Sequence, residues 1–396
     1  MTHTKRTRRL EFFPVLVIVL VLAATGYGAS LAPGTIKVGY PEALTGFLAP
    51  FEVSLANATK LAVEQINAAG GIGGKVKIDL QIRDIKSDAS LAVTVSQELI
   101  DQGAQALIVV CNTDFQVAIA SVGERNKIPV ISPCNADPSI GLRYSVYWPV
   151  GMGGNAQAAA AADAIKRDGH KNVYILNAPD FLYVNSLVQF FKAAAKTRGL
   201  NVVREDIFKV GTTDFAAQVT KVKNARPKPD AIFTPMFPPD VGIFLKQLRA
   251  AGVAAPLVGT DGMDTPLVIK VAGKAAEGTK FTTFGFPDPS SPTAAFYDQY
   301  KTKYGNRPEN SLSALGFTAV KVLETAVLKA QSTRPADILA AFSKGLAARG
   351  PLGQVTYKPG QRNPEVPVTV VAVKNGRFVL VSRGVPRDVP PPVLPK

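Results

Sequence analysis

The stretch that decides the fold is residues 36–82, IKVGYPEALTGFLAPFEVSLANATKLAVEQINAAGGIGGKVKIDLQI. Its opening run, residues 36–40, is short and apolar, which is typical of a buried strand. An amphipathic helix is predicted next, because apolar residues recur every three or four positions at Phe51, Leu55, Ala58, Ala62 and Ile66. Four glycines between positions 70 and 74 end this helix, and alternating apolar residues at 76–82 predict a second strand. This order of strand, helix and strand predicts a parallel βαβ unit.

The same alternation of buried strands and helices continues along the chain. Residues 106–110 and 128–132 are two further apolar strands, separated by one helix. A second series begins after about residue 150, and its predicted strands lie at 172–177, 201–208, 230–234, 256–259 and 280–284. We therefore predict two α/β units of similar size, each built on a parallel sheet.

The first 32 residues have the three parts of an export signal. An apolar stretch at 12–24 is followed by small residues within 26–30, and it is preceded by the basic residues Lys5, Arg6, Arg8 and Arg9. We interpret residues 1–32 as a signal peptide that is cleaved between Gly28 and Ala32, which predicts a periplasmic location. The alternative is an uncleaved membrane anchor.

Charge and residue types exclude several classes of function. The formal net charge is +15, yet the basic residues are scattered and no basic run follows the signal region. We therefore expect a solvated basic surface and no nucleic-acid partner. The two histidines, His3 and His170, and the two cysteines, Cys111 and Cys134, do not have the spacing of metal ligands. His170 is the one histidine after the signal region and no serine or cysteine is paired with it, so we expect no enzyme, no cofactor and no metal site.

Seven short motifs resemble those of the leucine/isoleucine/valine-binding proteins and of the wider type I periplasmic binding family. They are IKVG at 36–39, LTG at 44–46, AVEQINAAGGIGG at 62–74, IPVISP at 128–133, TTDF at 212–215, PDAIF at 229–233 and ALGFTA at 314–319. Each motif is weak alone, but their common order makes the resemblance specific. It covers nearly the whole chain, from Ile36 to about Arg383.

The resemblance implies an α/β fold with two Rossmann-like lobes, whose parallel-sheet cores are joined by a three-strand hinge. It assigns residues 33–150 and 286–350 to lobe one, and residues 151–285 and 351–385 to lobe two. The remaining segment, residues 386–396, contains five prolines and is expected to be a flexible tail.

The resemblance also implies a function, the periplasmic substrate-binding component of an ABC importer. Such a protein is expected to be a monomer that delivers its ligand to a membrane permease. The expected ligand is a small apolar carboxylate or amino acid, such as a branched-chain amino acid or an aromatic acid, with short amides also open. It would bind in the cleft between the lobes, which close on it because only the closed state contacts it from both sides. The alternative is a ligand-sensing receptor or amide-type sensor on the same fold.

Several ligand-binding residues are implied by the family's motifs. Asn112 falls at a carboxylate-binding serine and Thr113 follows it, although both are alternatively caps of the next helix. Asp261 takes the place of an ammonium-binding carboxylate, or alternatively caps its own turn. Aromatic walls are expected from Phe51, Tyr183 and Phe237.

Two features depart from the amino-acid binders. Cys134 and Ala136 lie in the loop after the fourth strand and are expected to contact the ligand, although Ala136 replaces the threonine that helps to hold a carboxylate. The stretch 151–154, Gly-Met-Gly-Gly, lacks an acid that those binders often carry. Both departures weaken the case for the standard α-amino-acid pose. We expect Phe47 to lie in the core and Trp148 to pack at the hinge.

A disulfide between Cys111 and Cys134 is expected beside the ligand. Each cysteine follows the carboxyl end of a strand, and a right-handed crossover makes these two strands parallel neighbours about 4.8 Å apart. A disulfide needs Cα atoms roughly 4.4–6.8 Å apart, and export places the chain in an oxidising compartment. The alternative is a pair of buried free thiols.

Alkylation of the unfolded, unreduced protein tests this bridge. We expect mass spectrometry to detect no added alkyl group before reduction, because both thiols are consumed by the bond, and two added groups after reduction. Two groups added without reduction would contradict the disulfide.

Overall fold

The computed structural model describes residues 1–3, 30–289 and 291–392. The predicted signal sequence therefore lies almost entirely outside the described residues. The strands are β1 (Gly34–Glu42), β2 (Val76–Asp84), β3 (Ala106–Ile108), β4 (Val130–Ser132), β5 (Tyr147–Pro149), β6 (Asn172–Asn177), β7 (Asn201–Ile207), β8 (Ala231–Phe233), β9 (Leu257–Gly259), β10 (Lys280–Thr283), β11 (Leu346–Gly350), β12 (Gly353–Tyr357), β13 (Val368–Lys374) and β14 (Arg377–Gly384).

The helices alternate with these strands. They are α1 (Ala49–Ala68), α2 (Ala89–Asp101), α3 (Thr113–Asn126), α4 (Ile140–Arg143), α5 (Gly154–Arg167), α6 (Leu182–Thr197), α7 (Ala216–Asn224), α8 (Asp240–Ala250), α9 (Leu267–Ala272), α10 (Pro292–Tyr304), α11 (Ser313–Ala330) and α12 (Pro335–Ser343). Within the ranges described, none of them is long and apolar enough to cross a membrane.

The first sheet has the strand order β2-β1-β3-β4-β5, and all of its pairs are parallel. Apolar side chains of β1, such as Ile36 and Val38, pack with α1 and α11 in one core cluster. A second cluster on the same sheet contains Leu107 of β3 with side chains of α2 and α3. Because parallel strands share a direction, the loops that follow β1, β3 and β4 emerge at one edge.

The second sheet has the order β14-β13-β10-β9-β8-β6-β7. Strands β6 to β10 pair in parallel, and β13 and β14 are added antiparallel at one side. Helices α7 and α8 contribute to one core cluster, and α5 and α6 to another, in which Phe191 stacks on Phe233 with ring centroids 3.7 Å apart. The predicted α/β class with two parallel-sheet cores is confirmed.

Three connections between the sheets occur within the described ranges: after β5, after β10, and between β12 and β13. Trp148 lies on β5 just before the first connection. It is buried against Phe342 and Tyr357, with ring centroids 4.7 and 5.7 Å away. The side chain thus packs beside the segments that join the lobes.

The chain returns to lobe two later than residue 351, where the boundary was predicted. Strand β12 pairs with β11 across a two-residue turn, and its Val355 and Tyr357 belong to the apolar cluster of the first sheet. A hairpin this tight keeps both strands on the same lobe, beside α11. The chain joins the second sheet only at Val368.

Residues 387–390, within the segment expected to be a flexible tail, contact lobe two. The Arg198 guanidinium donates to the carbonyl oxygens of Arg387 and Asp388, at 2.8 and 3.4 Å. Asn155 donates to the Pro390 carbonyl at 2.8 Å, and Val389 packs on the α5–α6 cluster. Prolines do not prevent this docking because the segment needs only to accept hydrogen bonds.

Candidate ligand-binding site

A cavity of about 390 Å³ lies between the two lobes. Lobe one contributes the first turn of α1 and the loop after β3, and lobe two contributes the segments that follow β6, β7, β8 and β9. Most of the lining thus comes from chain that leaves the carboxyl end of a strand, the usual position of ligands in open α/β sheets. The volume falls within the range of small-molecule pockets, roughly 300–1,000 Å³.

Five predicted site residues line this cavity, namely Phe51, Asn112, Tyr183, Phe237 and Asp261. Asn112 also caps α3, because its side-chain oxygen accepts from the Asp114 N–H at 3.1 Å. Asn112 therefore both caps α3 and lines the cavity.

Three predicted site residues are not part of the cavity lining: Thr113, Cys134 and Ala136. Thr113 is 1% exposed in the first turn of α3. Ala136 packs on the first connection between the lobes, where its carbonyl oxygen lies 1.9 Å from the position that a Cβ atom on Gly154 would occupy. Glycine at 154 permits this close approach, so the loop turns toward the connection instead of the cavity.

The structure contains a disulfide between Cys111 and Cys134, whose Cα atoms are 5.1 Å apart. The two cysteines follow β3 and β4, which are parallel neighbours. Cys111 lines the cavity, and the bond ties its loop to the loop after β4.

Aromatic rings form walls on both lobes. In lobe two, Phe237 lies 5.6 Å from Phe181 and 6.4 Å from Tyr183, measured between ring centroids. In lobe one, Phe51 and Phe47 line the cavity. The expectation that Phe47 lies in the core is wrong: its side chain is 59% exposed, because it precedes α1 at the mouth of the cavity.

Asp261 is a buried acid on the lobe-two side. It lies in a single turn after β9 and is 7% exposed. The Tyr183 hydroxyl donates to its carboxylate at 3.0 Å, and the same hydroxyl accepts from the Gly262 N–H at 3.0 Å. Burial raises the pKa of Asp261 to about 6, although hydrogen bonding with the Gln157 and Tyr183 side chains opposes the rise.

Glu52, on the lobe-one side, was not predicted. It is 1% exposed and lines the cavity, and the Cys111 N–H donates to both of its carboxylate oxygens at 3.1 Å. Burial raises its pKa to about 7. The sequence held a signal, because Glu52 lies three residues before Leu55 and so extends the apolar face of α1.

Glu42 at the end of β1 is a second buried carboxyl group near Glu52. It is fully buried, and its pKa is raised by burial and by the nearby charge of Glu52. Tyr40 on the same strand is also fully buried, and burial raises its pKa. Among the described residues that line the cavity there is no lysine, arginine or histidine.

Two α/β lobes with a cavity between them are the architecture of a solute receptor that closes on its ligand. The family model "Periplasmic binding protein" matches residues 35–377. The Leu/Ile/Val-binding protein BraC3 of Rhizobium johnstonii is 26% identical over 343 residues, which are 86% of this chain and 92% of that protein. The leucine-, isoleucine-, valine-, threonine- and alanine-binding protein of Pseudomonas aeruginosa is 25% identical over 81% of this chain and 86% of its own length.

Solved structures agree with this match. The leucine-binding protein LivK of Thermotoga maritima superposes with a TM-score of 0.80 at 28% identity, covering 89% of this chain and 99% of that one. A Rhodopseudomonas palustris solute-binding protein in complex with benzoate shares the fold, with a TM-score of 0.76 at 20% identity over 89% and 97% of the two chains. The chain belongs to the periplasmic binding protein family, and it is a substrate-binding protein, as the motifs predicted.

The buried Glu52 carboxyl makes stability depend on pH. Its pKa is about 7 in the folded chain and 4.5 as the ordinary value, so between these values the unfolded chain ionises while the folded chain keeps the proton. Stability therefore falls as pH rises through this window. We expect Glu52→Gln to melt higher than the wild type at about pH 8, by a few degrees, and to lose most of this advantage at about pH 4.5.

Glu64→Gln is the matched control, because Glu64 is an exposed acid on the same helix, paired with Lys303 at the surface. Its melting temperature should follow that of the wild type at both pH values. If the melting temperatures of Glu52→Gln and the wild type changed with pH in parallel, ionisation of Glu52 would carry no cost in stability. That result would contradict the prediction.

Proposed function

We propose that the chain is the substrate-binding component of an ABC importer and binds a small, amino-acid-like solute between its lobes. The observation that carries the proposal is the cavity, which takes its lining from both lobes and has aromatic walls and a buried carboxylate. A ligand that contacts both lobes favours their approach, because only the closed state provides all of its contacts.

The lining favours a ligand with an apolar body. Phe51 on one lobe and Tyr183 and Phe237 on the other suit a branched alkyl chain or a single ring. The buried Asp261 carboxylate favours an ammonium or other hydrogen-bond donor at one end, because a buried charge needs a partner. Relatives named for leucine, isoleucine and valine binding support a ligand of this size.

A contact between the lobes supports a hinged closure. Asp264 follows the Asp261 turn in lobe two, and its carboxylate accepts from the Ser311 N–H at 2.9 Å and the Ser311 hydroxyl at 2.6 Å. Ser311 precedes α11 of lobe one. Such a contact near the connections would hold the lobes in register while the outer part of the cleft opens.

The remaining parts of the proposal follow from the family. We propose that the N-terminal segment directs export to the periplasm, that the protein acts as a monomer, and that it docks on a membrane permease. No chemical step is proposed, since the family consists of proteins that bind substrates.

Isothermal calorimetry with leucine, isoamylamine and hydroxybenzoate tests the proposal. We expect at least one compound to bind, and Asp261→Asn to weaken an amine-bearing ligand by about 2–5 kcal/mol, because a buried ion pair is lost. Asp101→Asn, at an exposed site at the end of α2, is the control and should retain full affinity. Absence of binding for all three compounds would contradict the proposed function.

A further inference from the structure

The cavity has a buried carboxylate on each lobe. Glu52 on lobe one is 1% exposed, and Asp261 on lobe two is 7% exposed. A third acid, Asp240, lies in the first turn of α8 and accepts from the Gly211 N–H at 2.7 Å, so the helix end offsets its charge. No cation of the described lining offsets the charges of Glu52 and Asp261.

Glu52 occupies a backbone donor that a ligand carboxylate would need. The Cys111 N–H, at the carboxyl end of the β3 region, donates to both Glu52 oxygens at 3.1 Å. The Asp114 N–H, at the start of α3, is taken by the Asn112 side chain. Lobe one therefore offers a carboxylate of its own where an anionic ligand would require free donors.

We propose that the cavity selects a small apolar amine without a free carboxylate, and that Glu52 is the residue that excludes carboxylates. The ammonium group would meet Asp261, and the apolar body would lie between the rings of Phe51, Tyr183 and Phe237. This inference rests on the proposed function, because it names the ligand class of the same cavity.

The groups around the two acids offer no compensating charge for a ligand carboxylate. Glu52 is faced by Glu42 and Tyr40 of β1, and burial raises the pKa of both, which favours their uncharged forms. Asp261 is faced by Tyr183 of α6, by Gln157 of α5 and by Asp264 of its own segment. None of these groups is a cation, so nothing on either side stabilises a second anion.

Protonation gives amines and carboxylates opposite pH dependences. The pKa of Asp261 is about 6 and that of Glu52 about 7, both raised by burial. An alkylammonium ion stays charged well above this range, so it binds better as pH rises and the two acids ionise. A carboxylate would bind better as pH falls and Glu52 takes up a proton.

Three compounds with one carbon skeleton separate these cases. Leucine carries both charged groups, isoamylamine is leucine without its carboxylate, and isocaproate is leucine without its ammonium. Calorimetry at about pH 8 should give isoamylamine at least about tenfold higher affinity than isocaproate, and this preference should shrink at about pH 5.5, where isoamylamine binds more weakly.

Glu52→Gln tests the residue directly, because an amide keeps the size, removes the charge and can donate a hydrogen bond. We expect the affinity of leucine relative to isoamylamine to rise by about tenfold in this variant, and to stay unchanged in the Glu64→Gln control. An unchanged ratio in Glu52→Gln would overturn the role of Glu52. The pH dependence of the wild type needs no variant and remains a test if Glu52→Gln does not fold.

The outcomes also separate this inference from the proposed function. Tighter binding of leucine or isocaproate than of isoamylamine, with affinity that rises toward low pH, would overturn the inference and leave the proposed function standing. Binding of none of these compounds, nor of hydroxybenzoate, would contradict the proposed function itself.

Discussion

Parallel strand pairing is the constraint on which the site depends. In each sheet the neighbouring strands run in one direction, so the segments that follow them emerge at a common edge. The chain passes between the sheets three times within the described ranges, and these connections set the two edges on either side of one cavity. The lining consequently comes from segments far apart in the sequence, such as the start of α1 and the turn after β9. Neither lobe alone provides the complete set of contacts.

Much of the fold could be predicted from residue patterns, because both sheets are built from short apolar runs with helices between them. The alternation at 76–82 and the run at 36–40 agree with β2 and β1. The boundary at residue 351 could not be read in this way. Whether β12 pairs with β11 or joins the second sheet depends on a two-residue turn, which apolar patterning does not report. The docking of residues 387–390 depends on Arg198, a distant partner that no local pattern indicates.

The site was predictable where a residue's position follows from its strand. Asn112 and Asp261 directly follow the regions of β3 and β9, and both line the cavity. Ala136 does not, because its loop packs on Gly154, and that contact depends on tertiary packing. Glu52 was missed because the helix was recognised from its apolar residues alone. Burial of an acid on that face is energetically unfavourable, so a buried acid there indicates a functional residue.

Electrostatics give the cavity a character opposite to that of the whole chain. The net charge is +15, yet the described lining includes three acids and no cation. Charges that line the cavity act on a ligand at short range, while the basic charges of the surface are screened by solvent. We therefore propose that ligand selection depends on Glu52 and Asp261 and not on the overall charge.

The central claim is that two lobes close around a ligand held between them. Small-angle X-ray scattering of the mature protein, with and without isoamylamine or leucine at a concentration shown by calorimetry to saturate the site, tests this claim most directly. We predict a smaller radius of gyration in the saturated protein, because the lobes approach one another. An unchanged radius at full occupancy would contradict it.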